Sequence, residues 1–278
     1  MNRQQLDKIL DAHAEWIATD RASGVRADLS GADLGGADLS GADLQGAVLT
    51  GAYLWGADLR NADLSEADLR SAHLTDANLN GADLRSTDLS GANLRRADLR
   101  NADLRNADLR NADLRNATIQ SANLLNVDLS DAILQEAKLN GACLQRVDLR
   151  RADLSGANLS RANLADASLV GSNLSGATLR RADLMYADLR KANLQGVDLW
   201  ECSGNRWQIK SVFVSEDYPI TYTTDVLQIG CECHLISEWA KFDDARIAEI
   251  DGTKALRFWR EWKDYIFMTI EKSPAASP

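Results

Sequence analysis

An all-β solenoid is the fold class this sequence predicts, and three observations predict it. Residues 27–199 repeat every five positions as A-[D/N]-L-x-x, as in Ala32-Asp33-Leu34-Gly35-Gly36. The 35 central positions, Leu29 the first and Leu199 the last, are all Leu except Ile119, and no insertion breaks the phase. The segments on either side leave the repeat and carry amphipathic patterns instead.

A period of five excludes the ordinary elements. On an α-helix five residues advance about 500°, or about 140° net, so successive leucines build no apolar stripe. On a continuous strand an odd period sends successive leucines to opposite faces. The chain must therefore turn once per unit. Ala points in, Asp or Asn out, Leu in, and two corner residues follow. Those corners hold turn formers such as Ser-Gly, Gln-Gly and Arg-Asn. Ala beside Leu suits a narrow tube that must fill without voids. The position two before each Leu is Ala except at Thr87, Val127, Val147, Ser172 and Val197.

The N-terminal segment, 1–21, predicts a capping helix. Leu6, Ile9, Leu10, His13, Trp16 and Ile17 share one helical face over residues 3–18. An open coil end carries unpaired backbone groups, so this face is expected to cover the first coil. The solenoid is expected over 22–215. Past Leu199 the pairs Cys202/Gly204, Trp207/Ile209 and Val212/Val214 keep the inward spacing and predict a last, broader coil. Residues 216–278 predict a mixed, mainly helical C-terminal cap. Short strands are expected over 218–224 and 226–229, and helices over 237–241, 245–250 and 253–271. Residues 274–278 are expected to fray.

The unbroken A-[D/N]-L-x-x grammar resembles the pentapeptide-repeat proteins over about 170 of the 278 residues. The resemblance implies a right-handed quadrilateral β-helix with four units per coil. About nine coils then form a rod of roughly 40–45 Å. Thr87, Val127 and Val147 lie 40 and 20 residues apart, which places them in one interior column of a 20-residue coil. The string Ile229-Gly230-Cys231-x-Cys233-His234, followed by Glu238-Trp239, is similar to the tail of a set of bacterial and phage pentapeptide proteins.

Composition narrows the function. The formal net charge is −10, from 31 Lys+Arg against 41 Asp+Glu. That balance argues against direct nucleic-acid binding and leaves room for a basic protein partner. The four cysteines, Cys143, Cys202, Cys231 and Cys233, are too few and too uneven for a disulfide framework. The first residues carry no apolar signal core, and no apolar run approaches a membrane span. A cytoplasmic protein is expected.

A search for chemistry yields little. Cys231, Cys233 and His234, with Cys202 as a distant fourth, are the best ligand-like cluster and keep open a metal or redox role for the C-terminal cap. Their spacing lacks a second pair, and packed thiols are the favoured reading. His13 reads as a packed or capping histidine and His73 as a solvated one. One carboxylate per side per coil is unlike a calcium-binding β-roll. No phosphate loop, nucleophile elbow or zinc-protease helix is present. Neither an enzyme, a cofactor nor a metal is expected.

The outer surface carries the functional expectation, a scaffold that binds an unidentified protein. With 20-residue coils Asp68, Asp88, Asp108, Asp128 and Asp148 stack in one outward column. Arginines follow the aspartates closely from Arg60 on, whereas 27–59 holds five aspartates and no base. Two apolar clusters also point outward: Tyr53 and Trp55 with Val48 and His73, and Leu125 and Met185 with Cys143 and Tyr186. Some pentapeptide-repeat proteins act on DNA gyrase by imitating duplex DNA, so the resemblance implies gyrase or another topoisomerase as an alternative partner. Trp259, Trp262, Ile266 and Ile270 exceed what one coil end needs. They predict a homodimer through the C-terminal cap.

Overall fold

The structure is a computed structural model, and it describes residues 1–204, 210–212, 218, 220–223, 226–230, 232–272 and 274–275. Trp207, Ile209, Val214 and Cys231, each part of an expectation above, lie outside the described residues. The repeats form a β-helix. Parallel bridges join each outward residue to the one 20 positions later, as in Asp68↔Asp88↔Asp108↔Asp128↔Asp148. Four five-residue units therefore make one coil.

Each unit has the same mechanics. At Leu109 the backbone N–H donates to Asp128 O in the next coil at 2.7 Å, and Asp128 N–H returns to Ala107 O at 3.2 Å. The corner is closed by Ala112 N–H donating to Leu109 O at 3.1 Å. Its second corner residue, Asn111, has φ 58. A positive φ at that place marks a type II turn, which explains the Gly, Asn and Ser that recur there. The Asp of the repeat serves the same corner: Asp108 Oδ1 accepts the Arg110 N–H at 3.0 Å. Asn does likewise, as Asn163 Oδ1 accepts Ala165 N–H at 3.1 Å. Side chains that bond the backbone two residues on are a standard turn device.

The Ala and Leu side chains fill the tube, and almost all are fully buried. Its two interior hydroxyls find acceptors: Thr87 Oγ1 donates to Leu64 O at 2.8 Å and Ser172 Oγ to Leu169 O at 2.8 Å. Val127 and Val147 sit buried in one column, as their spacing implied.

Helix α1, Arg3–Ala18, starts at an Asn2–Gln5 capping box and covers the first coil. Leu6 joins the tube core, with Ile9 and Leu10 packed against it. His13 Nδ1 accepts the Ala27 N–H at 3.0 Å.

At the other end β1 (Asp183–Leu184) pairs in parallel with β2 (Ser203–Gly204) as the last coil-to-coil contact. The expected broader coil is corrected here. Strand β3 (Lys210–Val212) pairs antiparallel with β4 (Ile220–Tyr222), so Val212 belongs to a separate sheet. That sheet continues through β5 (Val226–Ile229) and β6 (Glu232–Leu235) in the order β3-β4-β5-β6. Two helices follow, α2 (Ile236–Trp239) and α3 (Asp244–Lys272). The backbone of Asp251 and Gly252 is non-helical, so α3 comprises two helical stretches that part where the helices expected over 245–250 and 253–271 do.

Strand β5 is buried on both faces, and alternation divides its residues between two cores. Val226 enters the tube core, while Leu227 and Ile229 join a second core with Trp239, Phe258 and Trp259. Gln228 faces the tube with Val226. Its Oε1 accepts the Leu199 N–H at 2.5 Å and its Nε2 donates to Asp198 Oδ1 at 3.1 Å. In earlier coils that N–H bonds the next coil, as Leu179 N–H does Asp198 O at 2.7 Å. One side-chain amide thus stands in for the missing coil.

Candidate partner surfaces

The aspartate column is a charge-compensated ladder. Each of Asp68, Asp88, Asp108, Asp128 and Asp148 accepts the N–H two residues on, between 2.9 and 3.2 Å. Arg70, Arg110 and Arg150 also fold back onto Asp68, Asp108 and Asp148. Arg70 and Arg110 reach the next coil too, 3.8 Å from Asp88 and 3.9 Å from Asp128. The Arg70 hydrogen bonds hold the Asp68 carboxyl at about 2. Burial opposes the charge on Asp108 and Asp148, but the hydrogen bonds from Arg110 and Arg150 outweigh it and both are lowered. Like charges in one column would otherwise repel. Corner pairs such as Arg96–Asp76 and Arg151–Asp131 add links between coils.

The first coil differs. Asp28, Asp33, Asp38 and Asp43 are exposed, one on each side. The residue two positions on is Ser30, Gly35, Ser40 or Gln45 in place of arginine. Above it lies the aromatic cluster. Tyr53 and His73 stack at 4.8 Å with their rings 5° apart. Trp55 lies on Gly35 of the coil below, where a Cβ would sit 2.2 Å from the indole. Tyr53 is 48% and Trp55 58% exposed, so the terminal helix leaves them uncovered.

The second cluster is smaller than the sequence suggested. Leu125, Cys143, Gln145 and Ala165 are half-buried, and exposure is concentrated at Met185 and Tyr186. The expected dimer anchors need a firmer correction. Trp259 and Ile266 are buried in the second core. Trp262 and Ile270 are half-buried against it. Helix α3 spends these residues on the sheet of its own chain, and Tyr265 and Met268 are its exposed apolar groups.

The thiols offer little chemistry. Cys202 is buried, and burial pushes its thiol up to about 12, far from a reactive thiolate. Cys233 pairs through its backbone with Gln228. His234 Nε2 lies 2.9 Å from Glu232 Oε2, with Trp239 and Phe242 edge-on to the ring. Among the described residues no group of three His, Cys, Asp or Glu is placed to hold a metal ion. Nor is any helix there long and apolar enough to cross a membrane.

Two features went unread in the sequence. Gln228 is one, and its signal was a lone amide inside the apolar run Val226-Leu227-Gln228-Ile229. The other is the return of each following arginine onto the same carboxylate, since the sequence showed the arginines only as close neighbours of the aspartates.

The repeats match those of known proteins. The family model described as pentapeptide repeats matches residues 27–65, 62–101, 97–135, 132–169 and 162–200. No curated protein sequence matches. Among solved structures, the chain is similar to HetL, a pentapeptide repeat protein involved in heterocyst differentiation regulation in the cyanobacterium Nostoc sp. strain PCC 7120. The two are 34% identical over 68% of this chain and 94% of HetL, with a TM-score of 0.40. Rfr23 from the cyanobacterium Cyanothece 51142 is 39% identical over 35% of this chain and 64% of its own, with a TM-score of 0.30. Full-length QnrB1, a plasmid-mediated fluoroquinolone resistance protein, is 20% identical over 58% of this chain and 90% of its own, with a TM-score of 0.22. The family match spans most of the chain and falls on the coils themselves: this protein belongs to the pentapeptide-repeat family.

Proposed function

We propose that the protein is a non-enzymatic scaffold that binds another protein through the Tyr53–Trp55–His73 cluster at the acidic end of its rod. One observation carries this reading. On later coils arginines fold back onto many of the aspartates, whereas here three aromatic rings stand exposed above Asp28, Asp33, Asp38 and Asp43, none of which forms an ion pair with an arginine among the described residues. Large exposed rings are common binding anchors. Arginine is the side chain such a site suits, because its guanidinium stacks on aromatic faces and is drawn by acid. The partner is therefore a protein that presents basic residues. A cytoplasmic address remains part of the proposal, supported by the unpaired thiols of Cys143 and Cys202. A homodimer through the C-terminal cap would now rest on Tyr265 and Met268.

The test uses the full chain, titrated with a synthetic arginine-rich peptide at low and high salt. Binding is expected at low salt, weakened at least tenfold by replacing Tyr53, Trp55 and His73 together with Ser. The thermal melt should not change, because all three side chains lie on the surface. Equal affinity in both proteins would reject this surface as the contact.

A DNA-like action on gyrase finds less support, since the aspartate column carries its own counter-ions. Supercoiling by gyrase is expected to continue unchanged with sub-micromolar protein. It should stay so after Asp68, Asp88, Asp108 and Asp128 are changed together to Asn. Inhibition or quinolone protection that the quadruple variant loses would reverse this ranking.

A further inference from the structure

Helix α1 closes the rod through one titratable side chain. His13 is fully buried between the helix and the first coil. Its Nδ1 accepts the N–H of Ala27, where the first repeat begins. A neutral ring that accepts at Nδ1 carries its proton on Nε2. Nε2 is buried without a well-formed hydrogen bond, and the Gln45 backbone faces the ring and favours a proton on it. The Trp16 ring lies 5.4 Å away, nearly parallel. Two charged groups face the imidazole: Asp43 on the first coil, which favours a proton, and Arg26 in the connecting segment, which opposes one.

A proton on Nδ1 would set two donors against each other, Nδ1–H and the Ala27 N–H. It would also place a cation where burial is complete, which costs far more than the hydrogen bond returns. We propose that His13 is an acid-sensitive latch, whose protonation releases helix α1 and uncovers the first coil of the rod. Release would expose Leu29, Leu34, Leu39 and Leu44 at the mouth of the tube. It would also free the carbonyls of Asp33 and Asp38, now bonded by the Met1 amino group and Arg3. Such a rim is an unpaired strand edge, open to a further chain.

The direction follows from linkage. Burial is the largest influence on His13 and lowers its pKa below the ordinary histidine value. The released helix, with an ordinary histidine, therefore binds the proton more tightly than the closed one. The latch is fully closed above about pH 6.5 and weakens as pH falls through that value. One proton allows the opening constant to rise about tenfold per pH unit until the buried ring itself titrates.

Hydrogen exchange over residues 3–18, corrected for intrinsic exchange and followed from pH 7.5 to 5, tests the latch. Protection of the natural chain should fall below about pH 6.5, by up to about tenfold per pH unit. His13→Gln, which keeps an acceptor for Ala27 and cannot titrate, should hold its protection throughout. Asp43→Asn removes a group that favours the proton on the buried ring, so its total loss at pH 5 should be at least as large as that of the natural chain. Constant protection in the natural chain, or an equal fall in His13→Gln, overturns the proposal. Should His13→Gln leave the helix unprotected even at pH 7.5, Asp43→Asn decides: a loss smaller than the natural one rejects the latch.

Discussion

Replacing Leu109 with Asp is expected to destabilise the rod by about 4 kcal/mol or more. Leu109 lies mid-rod at 1% exposure, and its side chain belongs to the tube core. The change removes an apolar side chain from a closed cavity and puts a carboxyl there without a donor. Either the group ionises at great cost or its pKa rises until it is neutral, and both outcomes destabilise. Asp108→Asn one position earlier should cost less than about 1 kcal/mol. Asn keeps an acceptor for the Arg110 N–H, and the Arg110 ion pair that is lost is solvent-exposed. Thermal melts of the two variants check the in/out alternation directly. Similar melting temperatures would contradict it.

The same alternation explains why most of the fold was legible. Each five-residue unit sees an identical environment, so 35 copies vote on one pattern, and a single substitution cannot obscure it. The coil length was less evident, because a period of five fits any number of sides. Only the spacing of Thr87, Val127 and Val147 bore on it, and the i to i+20 bridges supply the direct answer. The outward Asp was ambiguous in a different way. Read as charge it suggests a partner. Read as a turn device it needs none, and the bonds from Asp to the N–H two residues on show the second role at work.

Beyond the coils no repetition helps. Val212 kept the spacing of an inward pair by coincidence, and its strand pairs with Ile220 in the C-terminal sheet. Trp259 and Ile266 looked surplus because the sequence does not reveal that β5 presents a second apolar face to α3. The candidate surface was half legible. Tyr53 and Trp55 stood out as large rings at outward positions, but their setting depends on where arginine folds back onto aspartate, which happens on later coils and not on the first. That depends in turn on side-chain reach, which spacing alone leaves open.

The second large effect is expected at Trp239. Its ring is buried among Trp259, Phe242 and His234, and its Nε1 donates to Leu227 O at 2.7 Å. Trp239→Ala should cost about 3–5 kcal/mol, from the cavity and from a carbonyl left without its donor. The loss concentrates in the C-terminal cap, because among the described residues strand β5 contributes to both cores. Leu227 and Ile229 loosen first on the helix side. Val226 and Gln228, on the same strand, then lose their hold on the last coil, and Leu199 N–H loses its acceptor. Calorimetry should therefore show an early cap transition ahead of an almost unshifted rod transition, as expected when neighbouring units share one interface. Trp262→Ala serves as the control. That residue is half-buried at the edge of the same core, and its loss should cost less than half as much. If Trp239→Ala and Trp262→Ala melt alike, the buried tryptophan does not organise the cap. If the rod transition falls together with the cap, the two cores form one cooperative unit and β5 is no boundary between them.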